Sequence, residues 1–289
     1  MHNRPVKVMD NPKADRVKRV VQLAGRSAVR NRRQQFLVEG PQSATEAIMA
    51  HLGRLNLSET AAQMWPADNT ITEVYYTQQL SRTDRQLYNL VGQLNDRVFV
   101  AETSSAVMQA MSDAVVHQNI VVVANLPSAP LSPQCEADLA CVLVRIQDPG
   151  NAGTIIRTAD ASGADYVVAT SQTVDFYNPK TVRSTAGSLF HLPVYTQTDL
   201  ATFVSTFHGQ TLAADGYGDY TLDRMETCVL ANPTAWLFGN EARGLAEHEL
   251  ALADRRVAVP LYGLAESLNV ATAATICLYA SAMAQSISY

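Results

Sequence analysis

The chain has 289 residues, 47% of them hydrophobic and 17% charged, with a net charge of −5. That length and balance predict two ordinary domains with a real core and exclude a disordered or fibrous chain. No stretch reads as a signal peptide or a bilayer-spanning run, which predicts a cytoplasmic protein without a membrane partner. The cysteines Cys135, Cys141, Cys228 and Cys277 form no CxxC pair, which predicts buried thiols and no metal.

Charge is uneven along the chain. Between Met1 and Gly40, ten basic residues (Arg4, Lys7, Lys13, Arg16, Lys18, Arg19, Arg26, Arg30, Arg32, Arg33) stand against Asp10, Asp15 and Glu39. The remainder is acidic on balance. A basic segment on an acidic body attracts phosphates through counterion release. A solvated helix face would use the same residues, and charge alone does not choose between the two.

Taken in order, Val17, Val20, Val21 and Ala24 recur at helical spacing from Asp15 onward and predict an amphipathic helix. Phe36 to Gly40 reads as a short buried strand before a Gly-Pro break, and Thr45 to His51 as a helix. Strands follow at Glu73 to Thr77, Arg97 to Val100 and Ile120 to Ala124. The proline- and serine-containing run Asn125 to Pro133 marks a seam. We therefore expect a first domain over 1–118, a linker over 119–138 and a second domain over 139–289, although the boundary could equally fall just before Ile120.

Beyond the seam, a strand at Cys141 to Ile146 runs into a Gly-containing turn and a helix from Thr154 to Ser162. Strands at Tyr166 to Ala169, Thr211 to Ala214, Ala235 to Phe238 and Arg256 to Val259 follow, with helices at Asn178 to Ser188 and Asn269 to about Gln285. Alternating strands and helices predict a mostly parallel sheet covered on both faces, an α/β fold. Ligands of such sheets bind at loops leaving the carboxyl ends of strands. That rule selects Gln147 to Gly153, Gly239 to Gly244 and Leu261 to Leu268.

The first loop fits neither a GxGxxG nor a Walker pattern, so it is no nucleotide-phosphate cradle. It carries Asn151, and Arg157 follows in the helix; a guanidinium there could donate a bidentate fork to an oxyanion, or Asn151 could simply cap the helix and Arg157 face solvent. In the second loop, Gly239 and Gly244 bracket Asn240 and Glu241; the glycines would permit close approach of a ligand, and a turn ion pair with Arg243 is the plainer account of Glu241. In the third, Ser267 and Asn269 flank Leu268 after Val259 and Pro260. Capping explains one of the two polar residues.

Together, Asp148-Pro149-Gly150-Asn151-Ala152-Gly153-Thr154 with Arg157, Phe238-Gly239-Asn240-Glu241-Ala242-Arg243-Gly244-Leu245, and Val259-Pro260 with Ser267-Leu268-Asn269-Val270-Ala271 resemble the three motifs of the SpoU (TrmH-like) branch of the SPOUT RNA methyltransferases. Asn178 through Val194 resembles the family's helix between its first two motifs. Arg32 to Gly40 resembles the start of its RNA-binding substrate domain. The resemblance implies a C-terminal SPOUT domain with a deep trefoil knot, preceded by a smaller α/β domain resembling a ribosomal protein. It implies a homodimer that moves the methyl group of S-adenosylmethionine to a ribose 2′-hydroxyl of RNA, with 23S rRNA the first expectation and tRNA the alternative. By the same resemblance Gly239, Asn240, Val259, Pro260 and Leu268 surround the cofactor. Arg157, Asn151, Glu241, Ser267 and Asn269 form the catalytic set, with Glu241 and Asn151 orienting Arg157. Arg30, Arg32, Arg33, Lys180 and Arg183 would contact RNA phosphates, and Phe190 and His191 could stack on a base, with core packing the stronger expectation for Phe190. Rival readings are a non-catalytic RNA-binding relative, a base-methylating SPOUT enzyme and an unrelated α/β nucleotide-binding enzyme.

Overall fold

The computed structural model describes residues 8–127 and 136–287. Arg4, Lys7, Pro130, Pro133 and Cys135 lie outside the described residues. The chain divides into two compact units, residues 1–128 with 175–191, and residues 129–174 with 192–289.

The first unit is built on a four-stranded sheet of β1 (Gln35–Glu39), β2 (Ile71–Thr77), β3 (Phe99–Thr103) and β4 (Ile120–Asn125), in the order β1-β4-β2-β3. Only β2 and β3 pair in parallel. On one side, Val17, Val20 and Leu23 of the helix Asp15–Gly25 pack with Leu37, Tyr75, Val107, Met108, Val121 and Val123. The expected Val21 is 39% exposed; a spacing of three from Val20 to Leu23 keeps the buried stripe on one flank. An aromatic cluster around Phe36 closes another part of the core, with Tyr177 at 5.0 Å and Phe190 at 6.3 Å between ring centroids, and Trp65 4.8 Å from Phe190.

Two boundaries move. β4, fully inside the expected linker, is a central strand of this sheet, because an unbroken Ile-Val-Val-Val-Ala run suits a strand covered on both faces. The segment Asp175–His191, expected in the second domain, belongs to the first unit. Arg30 donates to Asp175 at 2.5 and 3.0 Å, Arg183 pairs with Glu39, and His191 with Glu46.

The second unit carries a seven-stranded, wholly parallel sheet, as the alternation predicts. Its strands are β5 (Leu139–Leu143), β6 (Tyr166–Thr170), β7 (Val194–Thr198), β8 (Gln210–Ala214), β9 (Tyr220–Thr221), β10 (Thr234–Phe238) and β11 (Arg255–Ala258), ordered β7-β6-β5-β10-β8-β11-β9. The edge strands β7 and β9 escape the sequence pattern: β9 is two residues long, and only Val194 and Tyr195 of β7 are buried. The helix Val270–Ile287 packs on the helix Pro149–Ala161 and on β5, β8 and β10. Contrary to the sequence reading, this helix is long and apolar enough, by length and composition, to cross a bilayer. Here Ala274, Cys277, Leu278, Ser281 and Ala284 are buried, and the Trp236 indole donates to Ser281 Oγ at 3.0 Å.

Candidate active site

The three loops chosen from the sequence leave the carboxyl ends of β5, β10 and β11. In the first, the motif is itself the first turn of the helix Pro149–Ala161, five residues earlier than the Thr154 start expected from the pattern. Asp148 is the cap, its Oδ1 accepting from the Asn151 amide at 2.8 Å, and Pro149 occupies the first helical position, where a missing N–H costs nothing. A Cβ at Gly150 would meet Asp148 Oδ1 at 2.9 Å, so the glycine leaves room for the cap. Asn151 is thereby released from capping.

The second loop is a tight hairpin closed by Asn240 N–H to Gly244 O at 3.1 Å and the reverse bond at 2.8 Å. Asn240 Oδ1 also accepts from the amides of Ala242 and Arg243. Gly244 adopts φ +62, and a Cβ on Gly239 would lie 2.4 Å from the backbone of Gly244 and Leu245. Gly239 is thus required by the hairpin itself.

Glu241 is no partner of Arg243. Its carboxylate accepts from the backbone of Gln147 at 3.1 Å and of Asp148 at 2.9 Å, and from Asn151 Nδ2 at 3.2 Å. Partial burial pushes its carboxyl up, but the hydrogen bonds from Asp148, Gln147, its own backbone and Asn151 outweigh this and hold it below the usual carboxylate value.

The third loop joins the same network. Asn269 caps the helix Val270–Ile287, its Oδ1 accepting from Ala271 and Thr272, while its Nδ2 donates to Asn151 Oδ1 at 3.0 Å. One continuous polar chain therefore runs from Glu241 through Asn151 to Asn269, linking all three strand-end loops.

Arg157 stands apart from it. Six residues along a helix of about 3.6 per turn put it roughly 120° around from Asn151. It is exposed and makes no hydrogen bond or ion pair among the described residues, so Glu241 and Asn151 do not orient it within this chain. Ser267 is exposed too. From Val259 to Leu268 no backbone–backbone hydrogen bond forms among the described residues, and Leu261, Tyr262, Leu264 and Leu268 are exposed, Leu264 completely. Apolar side chains beside unpaired backbone groups fit a flat aromatic ring with polar edges, such as adenine, so Val259, Pro260 and Leu268 suit the cofactor expected there. No group of three His, Cys, Asp or Glu is placed to hold a metal among the described residues.

The expected phosphate contacts fare unevenly. Arg30 is buried, with its guanidinium on Asp175 and the Leu23 carbonyl, and cannot face RNA. Arg183 is spent on Glu39 and Asp113. Arg32 and Arg33 are exposed and free of ion pairs among the described residues, and Lys180 is exposed. Phe190 is fully buried and offers no stacking face, and the His191 ring is tied at Nε2 to Glu46 at 3.0 Å.

A model described as the SpoU rRNA Methylase family matches residues 138–279. The chain is 36% identical over 176 residues to the 23S rRNA (guanosine(2553)-2'-O)-methyltransferase RlmP of Bacillus subtilis, covering 61% of this chain and 69% of that protein. It belongs to the SpoU rRNA methylase family. Another relative, the 23S rRNA (uridine(2479)-2'-O)-methyltransferase of Streptomyces viridochromogenes, is 36% identical over 179 residues, 58% of this chain and 61% of its own length. The crystal structure of the SpoU methyltransferase AviRb from the same organism, in complex with AdoMet, superposes with a TM-score of 0.77 at 26% identity and covers 96% of this chain and 99% of AviRb. The stretch matched by the family model, residues 138–279, contains all three loops joined by the Glu241–Asn151–Asn269 chain.

Proposed function

We propose that the protein transfers the methyl group of S-adenosylmethionine to a ribose 2′-hydroxyl of 23S rRNA. The observation that carries this reading is the Glu241–Asn151–Asn269 chain, which joins the three SpoU motifs at the ends of parallel strands. It is supported by relatives named for that reaction. S-adenosylmethionine supplies an electrophilic sulfonium methyl, and Gly239, Asn240, Val259, Pro260 and Leu268 hold it.

The chain's own task is positioning and charge management. Glu241, Asn151 and Asn269 fix the three loops relative to one another, which is a different role from orienting Arg157. Arg157 remains protonated, since arginine is almost never deprotonated in proteins, and its free guanidinium grips an adjacent phosphate and stabilises the developing alkoxide. Ser267, exposed beside Leu268, contacts the ribose. The chain acts as a homodimer in the cytoplasm, with its C-terminal segment threaded as a trefoil knot. The first unit grips RNA through the exposed Arg32, Arg33 and Lys180, without the buried Arg30.

The test is methyl transfer from labelled S-adenosylmethionine to total RNA, with nuclease digestion to separate ribose from base label and mapping of 2′-O-methyl sites. Label on 23S rRNA ribose is the expected result. Label on tRNA ribose selects the alternative substrate, label on a base overturns the reading, and no label at all makes the chain a non-catalytic RNA binder.

A further inference from the structure

The hairpin Asn240 to Gly244 is closed on itself, so the placement of Glu241 depends on what anchors that hairpin from outside. Apart from Glu241's own bonds, the polar anchors converge on one residue. Asn240 Nδ2 donates to the Arg145 carbonyl at 3.0 Å, and Arg145 Nη2 reaches the Gly244 carbonyl at 3.5 Å. The Arg145 guanidinium forks onto Glu249, with Nε to Oε1 at 2.7 Å and Nη2 to Oε2 at 2.5 Å. Glu249 lies just beyond the hairpin, its side chain only 8% exposed, and its Oε2 also accepts from the Ala246 amide at 2.7 Å. A planar guanidinium bound by both carboxylate oxygens fixes orientation as well as distance, which a point charge does not.

Arg145 is itself held in an unusual state. It follows β5 with φ +57, a left-handed backbone that costs a side-chain-bearing residue free energy, and its amide donates to Thr170 Oγ1 at 3.2 Å. Two residues later, the amides of Gln147 and Asp148 point at Glu241. The left-handed turn thus presents the carbonyl to Asn240 and the guanidinium to Glu249, and leads directly into the two amides that Glu241 reads.

We propose that Arg145 and Glu249 are positioning residues, forming a strut that fixes the Asn240 to Gly244 hairpin against the β5 exit so that Glu241 stays on the amides of Gln147 and Asp148. Neither touches the reacting atoms. Their consequence for activity rests on the methyl-transfer reading above, whereas the strut itself does not.

The experiment uses the full chain without added ligand and follows amide hydrogen exchange. Arg145→Asn removes the guanidinium while tolerating the left-handed backbone, and Arg145→Lys keeps the charge without the fork. In Arg145→Asn and in Glu249→Gln, protection at Gln147 and Asp148 should fall at least tenfold while that of β5 stays unchanged. Arg145→Lys should fall between, and the double variant should be no worse than either single one. Unchanged protection at Gln147 and Asp148, or an equal loss throughout β5, overturns the proposal, the latter because it marks simple unfolding. Binding of S-adenosylmethionine by calorimetry separates the two claims. A wild-type chain that binds none sinks the functional reading and leaves the strut to be judged by exchange. If the wild type binds, Arg145→Asn should weaken affinity about tenfold with the KM for RNA unchanged, and equal affinity in both would count against the strut.

Discussion

In the C-terminal unit the polar side chains at the strand ends satisfy one another, Glu241 through Asn151 to Asn269, and leave the Arg157 guanidinium unpaired. In the N-terminal unit half of the described cations of the basic segment are paired with acids of the same unit. Arg16 and Arg19 converge on Glu73, Lys18 meets Asp15, and Arg30 meets Asp175. The contrast teaches where function survives folding. A charge count over the first forty residues describes a possible phosphate surface, but a cation already matched within the fold contributes little to one. Arg157, exposed and without an ion pair among the described residues, keeps its charge available in a unit that is acidic on balance.

The largest expected effect is that of Arg157→Ala. An exposed, unbonded side chain contributes nothing measurable to thermal unfolding, while loss of a charge aimed at a developing oxyanion lowers kcat by about 10²–10³. Full retained methyl transfer, or a substantial drop in melting temperature, would show that Arg157 is a surface or structural cation after all. Next in size comes the contrast within the basic segment. Arg30→Ala strands the Asp175 carboxylate and the Leu23 carbonyl and should destabilise the chain by about 2–3 kcal/mol in chemical denaturation, because a broken buried pair costs more than the pair was worth. It should leave the salt dependence of RNA affinity alone once folding is accounted for. Arg32→Ala and Arg33→Ala should do the reverse, each reducing the slope of log affinity against log salt by about one unit without changing stability.

These expectations also mark how far the sequence reaches. The parallel sheet, the three strand-end loops and the membership of Asn151, Glu241 and Asn269 in one site were legible, because alternating apolar runs and ordered motifs survive any detail of packing. Pro149 and Gly150 read as a turn in the sequence but open the helix in the structure; proline at the first helical position and a glycine clearing the Asp148 cap are helix-initiating features seen only with the cap in place. The partners of Arg30 and Arg183 could not be read, because Asp175 lies 145 residues from Arg30, and Glu39 lies 144 from Arg183. Arg145 gave no sign of its own, since a left-handed arginine is visible only in the backbone.

The pH dependence of Glu241 refines the role of the network. Its carboxyl is held below the ordinary value of 4.5, so the stabilisation from its hydrogen bonds is present above about pH 4.5 and is lost as pH falls through the lower folded value. Glu241→Gln should remove that acid-side loss at the cost of one amide acceptor, and a wild-type acid limb that persists unchanged in the variant would assign it to another group.

The smallest effect belongs to the first unit and tests whether a lone buried titratable group behaves as the cations there do not. His51 is 1% exposed, and its Nδ1 accepts from the Ile71 amide at 3.3 Å, which requires the neutral ring with its proton on Nε2. Burial lowers its pKa, with Asp68 opposing weakly, so the unfolded chain binds the proton more readily than the folded one below about pH 6.5. Stability therefore falls as pH drops through that value, because protonating Nδ1 sets two N–H groups against each other at Ile71. His51→Asn offers an acceptor near the Nδ1 position without a titration, and its melting temperature should be flat from pH 7 to 5.5 where that of the wild type declines. A wild-type curve equally flat across that window would mean that solvent reaches the ring, and that this unit neutralises its buried polar groups only through the ion pairs already described.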